Sequence, residues 1–127
     1  MIRRIEIKED TTLILHRTRE LPQVIREKAI FVSGMNIHRS QLKKIASEDC
    51  VVVSMNSHPS VRYIASRYVS LYNHAKIIIT PSYLYVSSSN LSRTFFIEST
   101  LEIRIKDGFK LREEILQEIS AVAQSKK

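Results

Sequence analysis

Ile30-Phe31-Val32-Ser33, a polar interval holding Leu42, Ile45 and Ala46, and then Cys50-Val51-Val52-Val53-Ser54 form the stretch that decides the fold class. The two outer runs are short, continuous and rich in β-branched residues, the pattern of strands covered on both faces. Between them the apolar positions recur at helical spacing. Strand, helix and strand in that order predict a right-handed βαβ crossover and the start of a parallel sheet.

Outward from this core, Val61, Ile64, Ala65, Tyr68 and Val69 follow Pro59 at i, i+3, i+4, i+7 and i+8, which predicts an amphipathic helix with a packing stripe. An earlier helix is expected to begin around Pro22 with Val24 and Ile25 inward, and a last one to carry Leu111, Ile115, Leu116, Ile119 and Val122. Ile2 to Leu15 alternates around Glu9-Asp10-Thr11 and reads as a hairpin or one long edge strand. The expected class is α/β: a mixed β-sheet with a βαβ crossover and helices on both faces. No internal repeat, linker or low-complexity tract is seen, so residues 1–127 read as one domain with a short tail, Gln124-Ser125-Lys126-Lys127.

The composition, 43% hydrophobic and 26% charged over 127 residues, belongs to a folded domain with its own core. No apolar run approaches the roughly 20 residues needed to span a bilayer, and no signal-peptide core follows Met1, which predicts a cytoplasmic protein without a membrane partner. The single Cys50 lies in an apolar run and reads as a buried thiol. Twenty Lys and Arg against 13 Asp and Glu leave a formal charge of +7, which favours a polyanionic partner such as nucleic acid.

The chemistry concentrates in one hairpin. His74-Ala75-Lys76-Ile77-Ile78-Ile79 reads as a strand, Pro81-Ser82 as a turn, and Tyr83-Leu84-Tyr85-Val86-Ser87-Ser88 as the returning strand. Side chains two apart share a face. A turn centred on Ser82 would set His74 opposite Asn90 and Lys76 opposite Ser88, with Cβ atoms about 4.5–5.5 Å apart. Imidazole, ammonium, hydroxyl and carboxamide groups would then converge on a patch the size of one phosphate. These are the groups that attack on a phosphodiester and stabilisation of its oxygens require.

His74-Ala75-Lys76 followed by Ser87-Ser88-Ser89-Asn90 resembles the phospholipase D superfamily motif, H-x-K-x4-D and then G-S-x-N with a downstream Glu. The resemblance is strongest over residues 71–105. Two positions depart from it: the family's Asp falls on Pro81, and the Gly before the motif serine is Ser87. The resemblance implies that His74 attacks phosphorus to form a phosphohistidine, that Lys76, Ser88 and Asn90 hold phosphate oxygens, and that a Glu orients the imidazole. Glu102, in Leu101-Glu102-Ile103-Arg104-Ile105, is the preferred carboxylate, and Glu98 is the alternative. No metal or other cofactor is implied.

That mechanism uses two histidines, and this chain has one motif. His16, His38 and His58 lack a Lys two positions on and read as surface or loop histidines. The second motif is therefore expected from a second chain, in a homodimer with its active site on the two-fold axis. Small size, basic charge and a lone motif favour a nuclease acting on DNA or RNA over a lipase. The competing expectation is a fold retained as a nucleic-acid-binding or interaction module with little turnover, for which Pro81 is the main support.

Overall fold

In the computed structural model, which describes residues 1–125, eight strands form one continuous mixed sheet in the order β1-β2-β8-β7-β6-β3-β4-β5. The strands are β1 Arg3–Lys8, β2 Thr11–Arg17, β3 Ala29–Met35, β4 Ala46–Met55, β5 Arg67–Ser70, β6 Ile77–Ile79, β7 Tyr83–Ser87 and β8 Ile97–Arg104. Three α-helices accompany them: α1 Leu21–Val24, α2 Arg39–Ile45 and α3 Gly108–Ser125. Lys126 and Lys127 of the expected tail lie outside the described residues.

The βαβ core is as the apolar runs predict, except that Ala46, expected on the helix, is the first residue of β4. β3 and β4 are parallel neighbours, with Phe31, Val32 and Ser33 opposite Val51, Val52 and Val53, and α2 connects them. Alternation along the strands sends Val32, Val52, Ile78 and Tyr85 to one face, where Leu21, Val24, Leu42, Ile45 and Val61 cover them. Phe31, Val51, Val53 and Ile79 go to the other face, under Leu111, Ile115, Leu116 and Ile119 of α3. Full burial of each such side chain contributes about 1.5–3 kcal/mol. Val122, expected inward with that stripe, is instead 66% exposed.

The helix expected over Val61 to Val69 does not form. Pro59–Tyr63 makes a 3-10 turn that buries Val61, after which Arg67–Ser70 becomes β5, parallel to β4. Tyr68 packs into one core cluster and Val69 into the other, so the end of the apparent helical stripe has a period of two. Tyr68 and Val69 also have the β propensity to extend the exposed side of β4. The helix expected at Pro22 is the single turn α1, with Pro22 near its start and Val24 buried. The N-terminal segment is a hairpin, turned by Asp10 at φ 64°.

β6 is shorter than expected, since Leu71 to Lys76 runs without regular strand structure before Ile77. It pairs antiparallel with β3 and with β7. Behind the β6–β7 turn, a Cβ on Gly108 would lie 2.0 Å from the Thr80 carbonyl oxygen, so only glycine lets α3 start against this turn. Beyond the reach of α3, the row Ile5, Leu13, Leu101 and Val86 crosses four strands, with Ile5 and Val86 49% and 45% exposed.

Candidate functional site

The strand directions bring the chain's polar loops to one edge of the sheet. The C-terminal ends of β3, β4 and β5 lie there together with the start of β6, the end of β7, the start of β8 and the end of β2. In open α/β sheets this is the edge where ligands bind. It carries Arg17, Arg39, His74, Lys76, Ser87 to Asn90 and Arg93.

The hairpin register differs from the expectation by one residue. Ile77, Ile78 and Ile79 pair with Val86, Tyr85 and Leu84, and the Ser87 amide donates to the Lys76 carbonyl at 3.0 Å. The turn is centred between Pro81 and Ser82, so Lys76 faces Ser87 rather than Ser88. Ser88 belongs elsewhere: its hydroxyl donates to Glu98 Oε1 at 2.9 Å and accepts from the Ser99 amide. The expected placement of Ser88 opposite Lys76 is corrected accordingly.

Asn90 reaches the His74-Ala75-Lys76 segment by another route. After Ser87 the chain bends, with the Ser89 amide donating to Ser87 Oγ. A point at the Cβ position of Gly34 lies 3.5 Å from Asn90 Oδ1 and 3.8 Å from the Ala75 carbonyl oxygen. The carboxamide therefore sits over Gly34, beside the residue that separates His74 from Lys76. Gly34 has φ 151°, a conformation that side chains disfavour. His74 is exposed and stacks obliquely near Tyr72, ring centroids 6.4 Å apart, while Lys76 is half-buried with Nζ 3.4 Å from the His74 carbonyl oxygen.

Glu102 is occupied otherwise. It lies in the row of Ile78 and Tyr85, is 4% exposed, accepts from Arg26 Nε and from the Tyr85 hydroxyl at 2.7 Å, and pairs with Arg4. Burial and then the bond to Glu102 push the Tyr85 phenol far above its ordinary range, and the same carboxylate raises Arg26. Glu98 holds Ser88 and the Thr18 hydroxyl. The hydrogen bonds of both candidate carboxylates thus go to groups other than His74. At the turn where the motif's Asp would stand, a carboxylate comes instead from Glu27, which accepts from the Thr80 hydroxyl at 2.7 Å and from the Ser82 amide at 2.9 Å.

Beneath the loop lies a buried polar chain that the sequence does not announce. His16, expected at the surface, is fully buried, with Nε2 2.7 Å from Thr100 Oγ1, which is 2.7 Å from Ser87 Oγ. His16 Nδ1 lies 2.6 Å from the Arg17 carbonyl oxygen, which can only accept, so the neutral ring keeps its proton on Nδ1 and accepts at Nε2. Proton donation then runs from the Ser89 amide through Ser87 and Thr100 to His16.

No family model, curated protein or solved structure matches this chain. What the site can do therefore rests on its own residues: the Asn90 carboxamide over Gly34 beside Ala75, with the exposed His74 imidazole and the Lys76 ammonium on the residues to either side of Ala75. Sequence reasoning missed a second feature of this sheet edge, His38 and His58. The signal was a short repeat, Met-Asn-x-His-x-Ser at Met35 and again at Met55, which corrects the expectation of no internal repeat.

Proposed function

We propose that this chain is a phospholipase D-like phosphodiesterase, a nuclease that cleaves DNA or RNA through a phosphohistidine on His74 without a divalent metal. The placement of the Asn90 carboxamide over Gly34, beside Ala75, carries this reading, because it makes the H-x-K and S-x-N segments neighbours despite the shifted register. Lys76 and Asn90 would donate to the non-bridging oxygens. The hydroxyl hydrogens of Ser87 and Ser88 go to Thr100 and Glu98, so the family's phosphate-binding role of the motif serine is not carried over and Lys76 and Asn90 stand as the donors. The net charge of +7 and the arginines of this edge suit a polyanion.

The leaving oxygen needs a protonated group, and the two-histidine route takes it from a second copy of the chain. A mainly apolar groove of about 400 Å³, lined by Leu71, Tyr72, Ala75, Ile119, Val122 and Ala123 and also by the polar Asn73 and Glu118, flanks His74 and is the surface on which that copy would seat. The second reading, a binding module with little turnover, is favoured by the engagement of Glu98 and Glu102 with partners other than His74.

Incubation with single- and double-stranded oligonucleotides in excess chelator separates these readings. Cleavage that persists in chelator and disappears in His74→Ala supports the enzyme. Cleavage that needs Mg²⁺, or that survives His74→Ala, overturns it, and binding without cleavage establishes the module.

A further inference from the structure

The loops after β3 and β4 carry one pattern twice: Met35-Asn36-Ile37-His38-Arg39-Ser40 and Met55-Asn56-Ser57-His58-Pro59-Ser60. The parallel register sets Met35 opposite Met55, so the copies lie side by side. Asn36 and Asn56 both turn the chain off its strand at positive φ, 54° and 59°, which asparagine tolerates better than most residues. Two bonds staple the loops together: the Asn36 amide donates to the Met55 carbonyl at 3.3 Å, and the Ile37 amide to Ser57 Oγ at 2.9 Å.

The two imidazoles are used alike. Nδ1 of His38 accepts from the Ser40 amide at 3.2 Å, and Nδ1 of His58 from the Ser60 amide at 3.1 Å. A ring nitrogen that accepts carries no proton, so each neutral imidazole holds its hydrogen on Nε2. Both rings are exposed, and they line a cleft of about 410 Å³ together with Asn36, Arg39, Asn56 and Ser60. Serine, aspartate or asparagine is the ordinary choice for such a cap. Imidazole caps the turn and also keeps a second donor for something else. The cleft lining contains no carboxylate, and a protonated Nε2 offers no lone pair to a metal, so the fitting ligand is an anion.

We propose that this cleft is a phosphate subsite for a polynucleotide strand, bound through the Nε2–H groups of His38 and His58 and the guanidinium of Arg39. The identity of the polymer rests on the nuclease reading above. The cleft adjoins the candidate active site, since the His38 amide donates to the carbonyl of Leu91, next to Asn90, at 2.8 Å. A strand held at Asn90 would therefore lay a phosphate further along its backbone into the cleft.

The test is the affinity of short single-stranded DNA and RNA oligonucleotides, by fluorescence anisotropy, for protein carrying His74→Ala, which separates binding from cleavage. Asparagine also caps such turns, so adding His38→Asn and His58→Asn keeps the caps and removes the two Nε2–H groups, in whose place the shorter carboxamide offers only amide hydrogens held nearer the backbone. Affinity should fall about tenfold, the loss of roughly 1.4 kcal/mol, at an unchanged melting temperature. Arg39→Gln should flatten the salt dependence by about one counterion. Unchanged affinity at unchanged melting overturns the subsite and leaves the nuclease reading standing. Binding by the wild-type chain without cleavage does the reverse. If the asparagine variant melts early, the imidazole resonances of the His74→Ala protein decide: the oligonucleotide must shift those of His38 and His58, and no shift overturns the subsite. Failure of every oligonucleotide to bind the unsubstituted chain overturns both readings.

Discussion

Three polar residues, Lys76 just before β6, Asn90 between β7 and β8, and Glu102 in β8, illustrate how differently a side chain can be employed. Asn90 is half-buried with its carboxamide over a glycine, and among the described residues Lys76 holds a long contact to a carbonyl oxygen. Neither fills the core. Lys76→Ala and Asn90→Ala are therefore expected to lower oligonucleotide turnover about 10²–10³-fold, the usual loss for an oxyanion donor, with melting little changed. Glu102 is the opposite case, buried between Tyr85, Arg26 and Arg4. Glu102→Gln should cost about 1–3 kcal/mol of stability, because it weakens the satisfaction of the buried phenol and of the guanidinium groups. Its turnover per folded molecule should stay near that of the original chain. Denaturant melts read beside cleavage rates check both halves, and a stable but inactive Glu102→Gln chain would return the supporting carboxylate to Glu102.

At the scale of elements, β4 offers a probe of its own. Cys50 is fully buried in that strand, and burial pushes its thiol up from 9.0 to about 12. The unfolded chain gives up this proton at lower pH than the folded one, so above about pH 9 the unfolded state binds fewer protons and gains on the native state. Stability should thus decline from about pH 9 to about 12, a decline that Cys50→Ala should reduce in urea melts compared at pH 8 and pH 10. The strand itself was legible, as were β3, α2 and α3, because each is written in a local pattern of apolar residues, while the hairpin at Asp10 was one of two readings that the N-terminal alternation left open. β5 was not, since Tyr68 and Val69 satisfy a helical stripe as well as a strand, and only the open side of β4 decides between them. The hairpin chemistry was legible in residue types but not in register, because a turn shared between Pro81 and Ser82 moves every pair by one. Glu102 was misassigned for a different reason. Its partners Arg26 and Arg4 come from segments far away in sequence, and no spacing within β8 could reveal them.

For the whole molecule, the proposed chemistry demands a partner, for which the groove around Leu71, Tyr72 and Ile119 beside His74 is the proposed seat. Mixing active chains with an excess of His74→Asn chains should depress activity well below the active fraction, because each mixed dimer would hold one His74. A linear dependence, with subunit exchange confirmed, would show that each chain works alone. The sheet order carries a consequence of another kind. β2 pairs with β8 along its whole length, from Thr11 opposite Ile103 to Arg17 opposite Ile97, while the intervening strands β3 to β7 lie on the far side of β8. Closing a loop of that length costs little more than closing a shorter one, but distant pairings of this kind slow the search, to milliseconds or longer in β-rich domains. During synthesis, the β1–β2 hairpin leaves the ribosome before β8 does. It must then wait, with one edge of β2 unpaired, until residues 97–103 have followed it out.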